Sequence, residues 1–122
     1  MRDIKSLRLN IQFKRVYTKG KSSASPWLVL YARRVGGKGG FGITASKKIG
    51  KAVERNRAKR RLRALYRKFK NNIAENYDIV AVARTKTVNA PYVKLEDAFL
   101  KALKELGIYE DFLADNEQSK KS

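Results

Sequence analysis

The segment "SKKIGKAVERNRAKRRLRALYRK", Ser46 to Lys68, sets the terms on which this chain folds. Twelve basic residues fall between Lys47 and Lys70 and a single acid, Glu54, stands among them, so the segment nets +11 of the chain's +18. Turned as a helix from Asn56 to Ile73 at about 100° per residue, it sorts its side chains cleanly. Ala58, Leu62, Leu65, Phe69 and Ile73 fall on one stripe. Asn56, Lys59, Arg60, Arg63, Arg67 and Lys70 gather on the opposite side, with Arg57, Arg61 and Lys68 along a flank. A disordered basic tail has no use for the stripe, and a core helix has no room for the charge. The pattern predicts a helix docked by its apolar stripe that presents a rigid row of cations outward.

Upstream, Asn10 is placed to cap a helix, "NIQFKRVYTKG", that stops at Gly20. Phe13 and Tyr17, four residues apart, share a face of it, with Val16 beside them. "KSSASP" reads as a loop, and Pro26 opens a strand, "WLVLYARRV". Its alternation sets Leu28, Leu30 and Ala32 on one face and Trp27, Val29, Tyr31 and Arg33 on the other. Gly36 to Gly40 reads as a hairpin connection to a second strand, "FGITAS", with Phe41, Ile43 and Ala45 on one face and Thr44 and Ser46 on the other. As a phosphate cradle the glycines are weak, since no Lys-Ser/Thr ending follows and they lead into a strand.

Downstream, "YDIVAVART" is a nearly continuous apolar run of the buried-strand kind. "KLEDAFLKALKELG" places Leu95, Ala98, Phe99, Ala102, Leu103 and Leu106 at helical spacing and stops at Gly107. Met1 to Lys5 are expected to be a loose arm. Residues 1–114 are expected to form a single domain, and 115–122 a disordered tail. No internal repeat is present.

The 122 residues suffice for one packed core, and 43% hydrophobic content supports it. A charge of +18 is tolerable only with a polyanion close by. A membrane-surface helix would keep bulky residues on a face free for lipid, whereas this stripe is needed by the core. Nucleic acid is the expected partner. A rigid cationic row suits a phosphate backbone, and Phe13, Tyr17 and Tyr31 offer platforms for unstacked bases. With neither a long apolar run nor an apolar N-terminal stretch, the chain reads as cytosolic. His and Cys are absent, which removes the commonest general base, the usual nucleophile pairings and any thiolate metal site. Most acids lie in the last quarter of the chain, away from the basic segment, so a protein nuclease with carboxylates converging on a metal pair is not expected.

"SKKIGKAVERNRAKRRLR" resembles the signature of the bacterial ribonuclease P protein subunit, in which Arg-Asn-Arg is followed by Lys-Arg and a further Arg. Here these are Arg55, Asn56, Arg57, Lys59, Arg60 and Arg63, in register with Ser46, Lys47, Lys48 and Gly50. "FKRVYTKGKS", "LVLYARR" and "YDIVAVAR" fall in the family's order, and the resemblance covers roughly Leu7 to Leu106. Tyr17 stands where Phe is common, and the loop Gly36 to Gly40 is Gly-rich rather than polar.

The resemblance implies an α/β (α+β) sandwich in the order αβββαβα, like the second domain of ribosomal protein S5, with a left-handed βαβ crossover. It implies that the chain is the protein cofactor of a catalytic RNA, inactive alone, that helps remove the 5′ leader of precursor tRNA. By the same resemblance, Lys47, Lys51, Arg55, Asn56, Arg57 and Arg61 would contact the catalytic RNA. A leader-binding cleft would be formed by Phe13, Tyr17, Tyr31, Thr44, Ser46, Lys48, Lys59, Arg60, Arg63 and Arg67. Catalytic Mg²⁺ would be held mainly by RNA phosphates, and no protein side chain is expected to be catalytic or to bind metal. The alternative from the residues alone is a structural RNA-binding protein with no part in cleavage.

Overall fold

The apolar stripe of the basic segment becomes the middle of a helix that lies across a four-stranded sheet. The computed structural model describes residues 10–110; the expected arm at 1–5 and the expected tail at 115–122 lie outside them. In chain order the elements are α1 (Asn10–Lys19), β1 (Lys21–Ala24), β2 (Leu28–Arg34), β3 (Phe41–Thr44), α2 (Ala52–Phe69), β4 (Tyr77–Ala83) and α3 (Tyr92–Glu105). That is the αβββαβα order expected. Short 3₁₀ turns at Lys47–Ile49, Lys70–Asn72 and Thr85–Thr87 lead into and out of α2 and link β4 to α3. None of the described helices is long and apolar enough to cross a membrane.

The sheet runs β1-β2-β4-β3, and two expectations give way here. "KSSA" is a strand rather than loop: it pairs antiparallel with β2, Lys21 opposite Ala32 and Ala24 opposite Val29. The Ser25 hydroxyl donates to the Leu28 carbonyl at 3.1 Å and accepts from the Trp27 and Leu28 N–H groups, pinning the turn between them. The glycine segment is not a hairpin. β4 lies between β2 and β3, antiparallel to the first and parallel to the second, so Gly36–Gly40 carries the chain past the end of β4. Gly39 makes that passage possible. Its N–H donates to the Glu75 carbonyl at 2.7 Å, and a Cβ there would be driven into the Tyr77 carbonyl.

Strand alternation divides the sheet into two faces. Leu28, Leu30, Ala32, Ile79, Ala81, Ala83 and Phe41 point into the main core, where α2 and α3 cover them. From α2 come Ala58, Leu62, Leu65 and Tyr66, and from α3 Leu95, Ala98, Phe99, Ala102 and Leu103. Each fully buried leucine contributes about 1.5–3 kcal/mol of transfer free energy. Tyr66 stacks on Phe41 with ring centroids 3.9 Å apart, tying α2 to the edge strand. Phe69 is half-buried and stacks on Phe99 at 5.9 Å, and Ile73 is buried beyond the end of the helix. α2 also starts earlier than the Asn56 boundary, at Ala52. Gly50 just before it takes a φ of +145°, a conformation open to glycine.

The other face is lighter. Val16 of α1 packs on Val80, with Phe13, Tyr31 and Val82 around them.

Candidate nucleic-acid interface

On the α1 side of the sheet, β3 offers small side chains. Gly42 and Thr44 lie opposite Val80 and Val82, which face α1, and no bulky group fills the space along this edge. The result is a groove of about 510 Å³ lined by Phe13, Lys14, Tyr17, Ile43, Thr44, Ala45 and Lys59. Three elements build it: α1 gives one wall, the end of β3 the floor, and Lys59 of α2 the cationic rim.

Aromatic contacts hold that wall in place. Tyr17 meets Tyr31 edge to face with centroids 4.8 Å apart, and Phe13 lies 6.5 Å from Tyr17. Tyr17 is 38% exposed, whereas Phe13 and Tyr31 are half-buried against the Val16–Val80 pair. The three rings thus form one graded cluster, anchored inside and open at Tyr17. Of the expected cleft residues, Phe13, Tyr17, Thr44 and Lys59 line the groove directly, and Tyr31 backs it. Ser46 and Lys48 are exposed on the chain leaving β3, while Arg60, Arg63 and Arg67 are exposed on α2; none of these lines the groove. Lys14, Ile43 and Ala45 do line it and were not foreseen. Lys14 is legible as a neighbour of Phe13 and Tyr17 on α1. Ala45 lies just beyond the end of β3, while Ile43 lies within the strand and is half-buried at its edge.

The residues expected to meet the catalytic RNA fall into two groups. Lys47, Lys51 and Asn56 are exposed and Arg55 is half-buried, all in or just before the first turns of α2. Arg57 and Arg61 are committed inward. The Arg57 Nε donates to the Val88 carbonyl at 2.8 Å. The Arg61 Nη1 donates to the carbonyls of Thr87 and Val88, both at 2.8 Å, and its Nη2 donates to that of Ala90. Two guanidinium groups therefore clamp the connection between β4 and α3 onto α2. Desolvation, and then the neighbouring charge of Arg57, hold the Arg61 pKa below the ordinary arginine value. Lys68 on the same flank meets Glu96 of α3 at 2.9 Å, and that hydrogen bond raises its pKa.

Among the described residues, Asp and Glu nowhere gather in groups of three or more that would hold a metal ion. Among the described residues Lys68 pairs with Glu96 and Lys101 with Glu105, and Glu54, the acid within the basic segment, has one carboxylate oxygen buried without a hydrogen-bond partner. The α2 surface is thus a strongly positive ridge, with an aromatic groove beside one flank and the clamped corner beside the other.

The ribonuclease P family model matches residues 1–107. A ribonuclease P protein component of Clostridium novyi is 39% identical over 112 residues, covering 89% of this chain and 99% of that protein. The solved ribonuclease P protein of Staphylococcus aureus superposes with a TM-score of 0.76 at 29% identity, over 86% of this chain and 97% of the other. That of Thermotoga maritima gives 0.73 at 30% identity, over 83% and 96%. With the basic helix, the sheet order and the groove all in place, the chain belongs to the ribonuclease P protein family.

Proposed function

We propose that this chain is the protein subunit of a cytoplasmic ribonucleoprotein in which a catalytic RNA removes the 5′ leader of precursor tRNA. The groove between α1, the end of β3 and Lys59 carries this reading. Leaders differ in sequence from one precursor to another, so a leader site has to bind base faces and backbone rather than base edges. Stacking on an aromatic is worth about 1–3 kcal/mol per base and tolerates any base. Tyr17 supplies an exposed ring, backed by Tyr31, while Lys14 and Lys59 stand at the groove for phosphates. Lys48, Arg60, Arg63 and Arg67, with the hydroxyl of Ser46 just before Lys48's turn, extend the surface offered to the strand beyond the groove. Lys47, Lys51, Arg55 and Asn56 are assigned to the catalytic RNA.

The described residues offer no carboxylate cluster for Mg²⁺, so we assign the metal to the RNA, whose phosphates suit a hard cation. The chain's own part is electrostatic and positional. Its positive field lowers the repulsion between catalytic RNA and substrate, and its groove holds the leader in one path. The test is cleavage of precursor tRNA by the chain alone, by the catalytic RNA alone and by both together, at low and high Mg²⁺. The expected result is no cleavage by the chain alone and a large acceleration of the RNA at low Mg²⁺ that shrinks at high Mg²⁺. Cleavage by RNA-free protein refutes the assignment of chemistry. Binding without acceleration favours a structural RNA-binding protein instead.

A further inference from the structure

The corner where β4 passes to α3 is built more firmly than a surface loop requires. Thr87 is fully buried; its hydroxyl donates to the Trp27 carbonyl and accepts from the Arg84 N–H at 2.9 Å. Arg57 and Arg61 fix the following carbonyls from α2. This frame leaves two cations on the outside, Arg84 and Lys86, both exposed. The Lys86 ammonium lies 5.3 Å over the Trp27 ring, which restrains it. Neither cation pairs with a carboxylate among the described residues. Arg57, an exposed residue of α2, links the corner to the ridge through the bond from its Nε to the Val88 carbonyl.

We propose that this corner is a second phosphate-binding surface, carried by Arg84 and Lys86, that takes the backbone of the catalytic RNA on the side of α2 away from the leader groove. The inference rests on the functional reading above and adds a partition to it. Lys59 looks toward the groove, and Arg57 and Arg61 toward the corner, so the ridge of α2 stands between two RNA surfaces. One helix then keeps substrate and catalyst strands apart while neutralising both. Exposed cations without a carboxylate partner suit a phosphodiester, and for Lys86, held over Trp27, less side-chain freedom remains to be lost on binding.

The experiment compares binding of the catalytic RNA by the parent chain and by the double variant Arg84→Ala/Lys86→Ala across a salt series. Lys101→Ala/Lys104→Ala on α3 serves as a control of equal charge change. The corner variant should bind the catalytic RNA severalfold more weakly, with a log–log salt slope shallower by about 1.4–1.8, at 0.7–0.9 per phosphate contact. The α3 control should match the parent. The holoenzyme's preference for leader-bearing over mature tRNA should persist in both. An unchanged slope, or a loss shared equally by the α3 control, overturns the proposal, and Lys86→Gln alone repeats the test should the double variant melt early. Failure of the parent chain to bind the catalytic RNA refutes the functional reading itself, an outcome distinct from failure of the corner.

Discussion

Replacing Arg61 by Met while Arg60 is replaced in parallel separates an inward arginine from an outward one. The two are adjacent on α2 and both substitutions remove one positive charge, so the relief of general repulsion cancels between them. Arg61→Met keeps the aliphatic stem and deletes three hydrogen bonds, to the carbonyls of Thr87, Val88 and Ala90. Hydrogen bonds from charged donors contribute about 1.5–3 kcal/mol each, but the three are not additive. The Val88 carbonyl keeps its bond from Arg57, whereas the carbonyls of Thr87 and Ala90, both on buried residues, lose the arginine's. A net loss of about 2–3 kcal/mol follows, or roughly 6–15 °C in melting midpoint at about 3–5 °C per kcal/mol, between the values for smaller and larger domains. Arg60 is exposed, and its substitution should stay within about 0.5 kcal/mol of the parent. Thermal melts followed by circular dichroism in one buffer measure both. Equal midpoints for the two variants would refute the clamp as a source of stability.

Tyr17→Ala should weaken binding of leader-bearing precursor tRNA to the holoenzyme by about 1–3 kcal/mol and leave mature tRNA unaffected; equal weakening of both would remove Tyr17 from the leader path. Tyr31→Ala should do the same and also lower the melting midpoint, because its ring packs against Val16 and Val80 as well as Tyr17. Gly39→Ala should cost about 1–3 kcal/mol by forcing a Cβ onto the Tyr77 backbone. Gly37→Ala, where open space surrounds the position, should be neutral, and matching melts for the two glycine variants would contradict the chain path past β4.

The helices and the two central strands were legible because each carries a period that one buried face enforces. Leu28, Leu30 and Ala32 alternate against Val29, Tyr31 and Arg33, and Ala58, Leu62 and Leu65 recur at helical spacing. β1 was not legible: Lys21–Ala24 contains no branched or aromatic side chain, and it is a strand because β2 offers an edge and Ser25 fixes the turn. The insertion of β4 between β2 and β3 also leaves no periodic mark. A glycine segment between two strands looks the same whether it turns the chain back on itself or passes the end of a third strand. The pairing of both strands with β4 and the Gly39 approach to Tyr77 distinguish the two, and those are facts of three dimensions. The groove was half legible. Phe13 and Tyr17 declare themselves by spacing, whereas Ala45 joins from just beyond the end of β3 and Ile43 from the edge strand itself.

Arg57 and Arg61 show most clearly where residue type alone stops short. In a segment with twelve cations every arginine looks equally available to RNA, since a backbone carbonyl acceptor leaves no trace in the sequence. The structure gives the two flanks of α2 different uses. Arg61, on the flank toward α3, donates to three carbonyls, Arg57 one turn earlier shares one of them, that of Val88, and Lys68 meets Glu96. The carbonyl contacts offset part of the repulsion that +11 on one segment would otherwise direct against the helix, without adding acids that would weaken an RNA's attraction. On the outer ridge Arg60, Arg63 and Arg67 are exposed, and there the charge is left to be met by phosphate. An anionic side chain in the carbonyls' place would hold the loop equally well, but it would cancel the field in which the RNA is bound.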